Sequence, residues 1–491
     1  MKLYSLTNLF KRKAKQIVQS GTAENLSWTL RRDGILTISG TGAMPNYYPF
    51  WSYAPFSAPS YAPWHYYRSS IKSVIISEGV TKIGCGVFDG CHNLSSMIVP
   101  KGVRGIDNCA FTHCKGLLTI TVHDENEYYY SEGGILFNKD KTILIQCPAG
   151  KFESEYSIPD GVTNIGDYAF FGCSNLSSIM IPNGVTSIGN YAFFGCRSLS
   201  EITIPESVLS IGNYAFYVCN SLSFITIPNN VTYIGYDAFY GCTGLTTITI
   251  PESIICINDR VFKNCSSLSS ITIPQSVTSI GGSAFAGCSS LSSITIPESV
   301  TRIYDRAFEN CSSLSSITIP QSVANIGDGL FSGGGLFSGC SSLSNISVNE
   351  ANTVCSSQDG ILFNKDKTIL LQYPPAKLEN EYIIPRNVTK ISPAAFRDCS
   401  HLSSITISSG ITSISDSTFK NCSSLKDIYM QQEKPLLVIS TTFNSIVFDG
   451  VDFASCILHV PKGSKQHYKE AKTWKQFIHI EEESLYSEEE D

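Results

Sequence analysis

Cysteine is the residue type in this sequence with the clearest capacity for chemistry, because thiols form disulfides, bind metals and act as nucleophiles. The chain carries 18 cysteines among 491 residues. No pair has the C-x-x-C spacing of zinc ribbons or thioredoxin-type sites, so neither kind of site is predicted. Twelve cysteines, here called the ladder cysteines, stand three residues after a phenylalanine: Cys91, Cys114, Cys173, Cys196, Cys219, Cys242, Cys265, Cys288, Cys311, Cys340, Cys399 and Cys422.

The regular spacing of the ladder cysteines leaves two roles open. If each repeat forms one coil of a stack, neighbouring ladder positions lie about 4.8 Å apart, which is inside the roughly 4.4–6.8 Å Cα window of a disulfide. Distance alone therefore does not exclude disulfides along the ladder. We favour the other role, in which each cysteine is a small buried hydrophobe. Six cysteines lie off the ladder: Cys85, Cys109, Cys147, Cys256, Cys355 and Cys456.

The other chemically active residues form no recognisable catalytic motif. The eight histidines include no H-E-x-x-H zinc motif, and the chain has no G-x-S-x-G, Walker or dinucleotide-binding motif. His92, His123 and His401 lie at or beside repeat positions and are interpreted as surface residues. The sequence therefore predicts that the protein is not an enzyme and has no cofactor, metal site or catalytic site.

A row of threonines is the first candidate for a binding site. Each alternates with buried isoleucines, so a parallel sheet would align the hydroxyl groups on its outward face. The row lacks the carboxylates that a glycan-cleaving solenoid would need. Either these threonines simply favour strands, or they form a weakly charged docking face for a protein or a glycan. The row comprises Thr203, Thr226, Thr249, Thr272, Thr295 and Thr318, with Thr121 and Thr406 in flanking coils.

A 23-residue repeat positions these residues. Eight intervals between consecutive ladder cysteines equal 23, two equal 59 and one equals 29. Ile294 and Ile296 alternate with Thr295, which predicts a short strand with one buried face. Pro297 ends this strand, and the apolar spacing up to Phe308 predicts a tight turn and a short helical segment. One coil cannot bury its own apolar residues, so the coils are expected to stack as a solenoid.

The repeat has interruptions and ends that divide the chain. The segment GILFNKDKTIL occurs at 134–144 and again at 360–370 and predicts a β-hairpin or an enlarged edge of a coil. The duplicated GLFSGGGLFSGC at 329–340 predicts a bulged glycine-rich loop. The predicted regions are a disordered or helical leader (1–19), a β-rich aromatic module (20–75), the repeat solenoid (76–430) with hairpin islands near 123–158 and 349–384, a C-terminal cap with a short helix (431–481) and an acidic tail (482–491).

Aromatic residues are predicted at both ends of the stack. In the N-terminal module they either wrap the first coil or form an exposed patch that binds sugar or protein; the candidates are Tyr47, Trp51, Tyr61 and Trp64. At the other end, Ser464 is expected to begin a helix. That helix would place four residues on or near one face: Tyr468, Ala471, Trp474 and Phe477.

Composition excludes two classes of partner. The net charge of -7 and the isoelectric point near 5.7 argue against nucleic acid, because phosphate binding requires a basic face. No apolar run approaches the roughly 20 residues that span a bilayer, so no transmembrane segment is predicted. The expected ligand is a protein or a glycan.

The repeated unit L-x-x-I-x-I-P-x-x-V-x-x-I-x-x-x-A-F-x-x-C resembles the leucine-rich repeat of the BspA-like family over roughly residues 76–430. The resemblance implies an α/β repeat solenoid: a curved stack with a parallel β-sheet on one face, short helical or irregular segments on the other, a β-rich N-terminal cap and a helical C-terminal cap. It also implies a non-enzymatic surface protein involved in adhesion or host binding.

Two interpretations remain open for the location of the protein, and two for its function. The resemblance implies a cell-surface or secreted protein. However, the N-terminal residues show no clear export signal, so a cytoplasmic location is the alternative. The alternative to an adhesive binding protein is a structural spacer or assembly element that has no ligand of its own.

Overall fold

The structure is a computed structural model that describes residues 16–48, 61–151, 154–327, 335–439 and 447–484. The chain divides into two compact units, Met1–Leu245 and Thr246–Asp491, hereafter the N-terminal and the C-terminal unit. Most of the predicted leader, the glycine-rich residues 328–334 and the end of the acidic tail lie outside the described residues.

Short β-strands dominate the regular structure, and helix is rare. The helical segments are the 3₁₀ helices His65–Ser70 and Trp474–Gln476 and the α-helix α1 (Lys465–Glu470). Within the described ranges, no helix combines the length and apolar character needed to cross a bilayer.

An antiparallel hairpin starts the stack of the N-terminal unit. The first strands are β1 (Ile17–Ala23), β2 (Leu26–Arg31), β3 (Ile35–Gly40), β4 (Gly42–Ala43) and β5 (Ser73–Ile76). β2 pairs antiparallel with β1 and β3, and β3 then pairs in parallel with β5. The leader prediction is wrong for residues 17–19, because main-chain pairing with β2 holds them in an extended strand.

Among its described residues, the N-terminal unit has fifteen further strands. They are β6 (Val80–Ile83), β7 (Ser96–Val99), β8 (Gly105–Ile106), β9 (Thr119–Val122), β10 (Tyr129–Glu132), β11 (Ile135–Asn138), β12 (Ile143–Gln146), β13 (Glu155–Ser157), β14 (Asn164–Ile165), β15 (Ser178–Met180), β16 (Ser187–Ile188), β17 (Glu201–Thr203), β18 (Ser210–Ile211), β19 (Phe224–Thr226) and β20 (Tyr233–Ile234). The strands of successive coils lie side by side in the sheet orders β5-β7-β9, β13-β15-β17, β4-β6-β8 and β12-β14-β16-β18-β20.

The C-terminal unit repeats this arrangement. Its strands are β21 (Thr247–Thr249), β22 (Cys256–Ile257), β23 (Ser270–Thr272), β24 (Ser279–Ile280), β25 (Arg302–Ile303), β26 (Ser316–Ile319), β27 (Asn325–Ile326), β28 (Asn345–Val348), β29 (Cys355–Gln358), β30 (Ile361–Asn364), β31 (Ile369–Gln372), β32 (Glu381–Ile383), β33 (Lys390–Ile391), β34 (Ser404–Ile407), β35 (Ser413–Ser415), β36 (Asp427–Met430), β37 (Leu437–Ile439), β38 (Ile457–Pro461) and β39 (His479–Glu483). Sheet orders include β22-β24-β25-β27 and β32-β34-β36-β38-β39. Each unit is thus a parallel β-solenoid, which confirms the predicted fold.

The helical segment predicted before each ladder phenylalanine is wrong for the regular coils that the structure describes. A turn occupies this position, and its residue Arg306 has φ +56°, which a right-handed helix does not allow. Some main-chain N–H groups here donate to the next coil, and the groups between them close turns within their own coil. Phe285 donates to the carbonyl of Ala307 (2.8 Å), and Phe193 donates to that of Ala215 (2.8 Å).

The ladder phenylalanines form the centre of each core. In the N-terminal unit, consecutive rings are stacked with centroids 5.1, 5.2 and 5.3 Å apart at Phe170, Phe193, Phe216 and Phe239. In the C-terminal unit, Phe262, Phe285, Phe308 and Phe337 stack at 5.6, 5.7 and 5.8 Å. All eight rings are fully buried, so each coil closes the core of its neighbour as the repeat predicts.

Both GILFNKDKTIL segments form the predicted hairpins. β11 pairs antiparallel with β10 and β12, and β30 pairs antiparallel with β29 and β31. The last strand of each hairpin then pairs in parallel with the next coil, β12 with β14 and β31 with β33. Each island is therefore an enlarged coil of the stack.

A fully buried asparagine fastens each island to the preceding coil. The side-chain amide of Asn126 donates to the carbonyls of Pro100 and Val103, both at 2.9 Å. Its Oδ1 accepts from the N–H groups of Tyr128 and Tyr129, both at 2.8 Å. Asn352 makes the corresponding four bonds in the second island.

The C-terminal cap contains a short helix, as predicted, but α1 ends at Glu470, before Ala471, Trp474 and Phe477, so these three do not share its face. A residue other than the predicted one caps it. Ser464 precedes α1 without a side-chain capping bond. Instead, Glu482 Oε1 on β39 accepts from the N–H groups of Gly463 (3.1 Å) and Lys465 (3.0 Å). The aromatic residues of this cap lie in the core, with exposures of 0%, 1% and 3% at Tyr468, Trp474 and Phe477.

Candidate functional site

The predicted threonine row lies on the outward face of the coils. All six candidates are exposed: Thr203 and Thr226 in the N-terminal unit, and Thr249, Thr272, Thr295 and Thr318 in the C-terminal unit. Strand register aligns Thr249 with Thr272, because β21 and β23 pair in parallel. The neighbour of Thr203 on β15 is Met180, and the neighbour of Thr318 on β28 is Ser347. The row is therefore less uniform than the sequence suggests.

The sheet is interrupted at one of the candidate threonines. Ile294 and Ile296 are buried and Thr295 is exposed, as expected, but no strand is assigned between residues 288 and 300. The predicted strand is wrong here because this segment forms no ladder with β23 or β26. A cleft of about 510 Å³ opens beside it, lined by Thr295, Thr318 and Glu298 among other residues.

Bulky apolar side chains on the same face were missed by the sequence reasoning. Ile75, Ile98 and Met180 are 52%, 58% and 67% exposed, although they occupy the outward strand position that threonine takes elsewhere. Phe224, two residues before Thr226, is 60% exposed. The signal was present in the sequence, since these residues replace Thr or Ser in the aligned repeat. The face of the N-terminal unit therefore combines apolar and hydroxyl groups.

The outward row of the C-terminal unit ends in a charged cluster. Tyr429 on β36 stacks on His459 of β38 with ring centroids 4.2 Å apart. His459 Nε2 lies 2.9 Å from Oδ1 of Asp427, and its Nδ1 lies 2.7 Å from Oε1 of Glu483. Cross-strand pairs of this kind stabilise sheets. The cluster therefore fastens the last three strands of the cap to one another.

The exposed aromatic patch is corrected by the structure. Tyr47 and Trp64 are only 4% and 1% exposed, and Trp64 Nε1 donates to the carbonyl of Val87 at 2.7 Å. Trp64 also covers Phe88, with centroids 6.5 Å apart, because the first ladder phenylalanine has no preceding coil to bury it. Tyr61 is 37% exposed and stacks on a histidine ring. Trp51 lies outside the described residues.

The ladder cysteines are buried thiols outside any disulfide in both units. In regular coils, the thiol donates to the carbonyl of the ladder phenylalanine one coil back, for example Cys196 to Phe170 and Cys288 to Phe262, both at 3.2 Å. Burial raises the pKa of the Cys242 thiol to about 12. The structure therefore supports the small-hydrophobe role over disulfides along the ladder, and it adds a hydrogen bond that spacing did not show.

The burial of the ladder thiols predicts that they resist alkylation in the folded protein. A pKa raised to about 12 keeps Cys242 and Cys288 protonated at pH 9, where an unfolded thiol with a pKa near 8.5 is mostly thiolate. Labelling with iodoacetamide, followed by mass mapping, should show little native labelling between pH 7 and 9 and complete labelling in denaturant. Rapid native labelling of these residues would contradict the burial.

Among the described residues, no group of three or more His, Cys, Asp or Glu side chains is arranged so that it could hold a metal ion. His92 Nδ1 lies 2.9 Å from the carbonyl oxygen of His113, and His113 Nδ1 lies 2.9 Å from Oδ1 of Asp89. These contacts join adjacent coils. The described strand face therefore presents exposed apolar side chains, hydroxyl groups and a cleft.

The repeated part of the chain matches a known protein family. A family profile described as "BspA type Leucine rich repeat region (6 copies)" matches residues 62–139, 147–269, 210–336, 255–358 and 376–452. No curated protein sequence matches the chain.

Solved structures with a similar fold come from several bacteria. A leucine-rich repeat protein of Eubacterium ventriosum is 25% identical (TM-score 0.44, covering 70% of this chain and 99% of that chain). One of Bacteroides ovatus is 23% identical (TM-score 0.47, 92% and 98%). A leucine-rich cell surface protein of Faecalibacterium prausnitzii is 24% identical (TM-score 0.38, 88% and 98%).

Proposed function

Because this chain belongs to the family of BspA-type leucine-rich repeat proteins, we propose that it is a non-catalytic recognition protein that binds a protein partner through its outward strand face. One observation carries the proposal: Ile75, Ile98, Met180 and Phe224 are all more than half exposed on that face. Full burial of one such side chain by a partner is worth about 1.5–3 kcal/mol. Exposed apolar side chains that lie side by side, as Ile75 and Ile98 do on the neighbouring strands β5 and β7, are typical of interaction sites.

The surrounding residues support a protein partner over a glycan. The exposed groups next to the apolar side chains are hydroxyls such as Thr203 and Thr226, which supply hydrogen bonds without charge. Of the aromatic residues considered for sugar binding, Tyr47 and Trp64 are committed to the core. We propose adhesion at the cell surface as the setting, in line with the Faecalibacterium protein described as a cell surface protein.

Glutamate substitutions on the face are expected to abolish binding. Ile75→Glu with Ile98→Glu puts two charges where a partner would bury apolar surface, and Thr203→Glu with Thr226→Glu does the same in the threonine row. Binding of the purified full chain to arrays of extracellular-matrix proteins and of glycans should fall at least about tenfold in both double variants. Leu209→Glu is the matched control, because Leu209 is 52% exposed but lies off the outward strands.

Three results would count against this proposal. Binding that both double variants retain would exclude the strand face. Binding confined to the glycan array would replace the protein partner by a carbohydrate. Regular self-association with no captured partner would favour the structural spacer.

A further inference from the structure

We infer that Cys85 and Cys109 form a redox-reversible latch that holds the N-terminal cap on the first two coils of the stack. They are joined by a disulfide, with Cα atoms 4.9 Å apart and a sequence separation of 24. The other sixteen cysteines are not disulfide-bonded, and fifteen of those are buried. This bond is therefore the one covalent cross-link within the described residues.

The disulfide joins equivalent turns of neighbouring coils. Cys85 follows β6, and Cys109 follows β8, which pairs in parallel with β6. Beside the bond, the N–H of Gly86 donates to the carbonyl of Cys109 (3.2 Å), and the N–H of Phe88 donates to that of Ala110 (3.1 Å). The disulfide thus adds a covalent link to the main-chain hydrogen bonds that join the two turns.

The same turn carries the segment that leads into the aromatic cap. The N–H of Met44 donates to the carbonyl of Lys82 (2.9 Å), and the N–H of Tyr47 donates to that of Cys85 (2.8 Å). Asn46 Oδ1 accepts from the N–H of Cys85 at 3.0 Å. Residues 42–47, here called the strap, therefore bind directly to a residue of the disulfide, and losing the bond frees the turn on which the strap rests.

The chemistry of the latch is thiol–disulfide exchange. To close it, the two thiols transfer two electrons and two protons to a small-molecule disulfide, which leaves as two thiols while the Cys85–Cys109 bond forms. A thiol reductant reverses the step. Cys109 is only partly buried, so small reagents have access that they lack at the ladder cysteines. A closed latch requires an oxidising compartment.

The test combines thiol counting with hydrogen exchange on the full chain. Protein prepared under oxidising conditions should expose 16 reactive thiols in denaturant without reductant and 18 after reduction, because the bond hides two of the 18 cysteines. On reduction of the folded protein, the amides of Met44 and Tyr47 should exchange on the order of 10-fold faster. Cys85→Ser with Cys109→Ser should match the reduced protein.

A cysteine elsewhere provides the control. Cys256→Ser removes a partly exposed free thiol of the C-terminal unit and should leave strap exchange unchanged. Eighteen thiols in the oxidised preparation would overturn the disulfide itself. Sixteen thiols with no change of strap exchange on reduction would overturn the latch. If the double-serine variant fails to fold, reduction of the wild-type chain still decides between these outcomes.

Discussion

Replacing Phe193 by alanine is expected to lower the free energy of unfolding of the N-terminal unit by about 3–5 kcal/mol. The ring is fully buried and stacks at 5.1 Å on Phe170 and at 5.2 Å on Phe216. Removing it deletes two stacking contacts and leaves a cavity in the middle of a column. The neighbouring coils are held by their main-chain hydrogen bonds and cannot move in to fill it.

The measurement has to follow the coils separately. A solenoid need not unfold in one step, because each coil contacts only its neighbours. Hydrogen exchange near Phe170, Phe193 and Phe216 therefore complements denaturant melts. Phe224→Ala is the matched control, since this ring is 60% exposed and its loss should change stability by less than about 0.5 kcal/mol. Equal effects of the two substitutions would show that the column is not the core.

Replacing Asn126 by alanine is expected to cost on the order of 4 kcal/mol, because it leaves several buried main-chain groups without partners. Two carbonyls, of Pro100 and Val103, and two N–H groups, of Tyr128 and Tyr129, would lose their bonds to one side chain. Each unsatisfied buried group costs about 1–3 kcal/mol, although such costs do not simply add. Water would reach only part of the site, since Asn126 is 0% exposed.

The second island supplies an internal replicate. Asn352→Ala removes the same four-bond arrangement from the C-terminal unit and should destabilise it to a similar extent in urea melts. Exposed Asn229 serves as the control, with an expected change from Asn229→Ala of less than about 0.5 kcal/mol. If the two buried substitutions are as mild as the control, the islands are held by strand pairing alone.

The candidate face shows where reading the repeat succeeds and where it fails. The alternation of apolar and polar residues correctly predicted that Thr203 and Thr272 are exposed. Successive side chains of a strand point to opposite faces, whatever lies next to the strand. The consensus of the repeat did not predict the exposure of Ile98 and Met180. A consensus records the most frequent residue at each position and omits the residues that differ from it. Departures of this kind are where a repeat protein can carry specificity.

The residue pattern within one repeat could not predict features that depend on contacts with another coil. Cys85 and Cys109 lie off the ladder, and their bond follows from the alignment of two turns rather than from a motif. Asn126 finds its partners more than 20 residues earlier in the chain. The helical segment expected before Phe308 is absent, because Arg306 has φ +56° and the N–H of Phe308 donates to the carbonyl of Leu336 in the next coil. The spacing of residues within one repeat does not determine which groups of neighbouring coils come into contact.

By itself, the sequence determined the stacked solenoid, the phenylalanine and cysteine ladders and the two hairpin islands. A coil that cannot bury its own apolar residues has to stack on a copy of itself. Only the tertiary structure decided that Trp64 closes the core, that Glu482 caps α1 and that one disulfide lies outside the ladder. These outcomes depend on which polar or apolar groups the ends of the stack leave uncovered, and that is settled only when the coils are in contact.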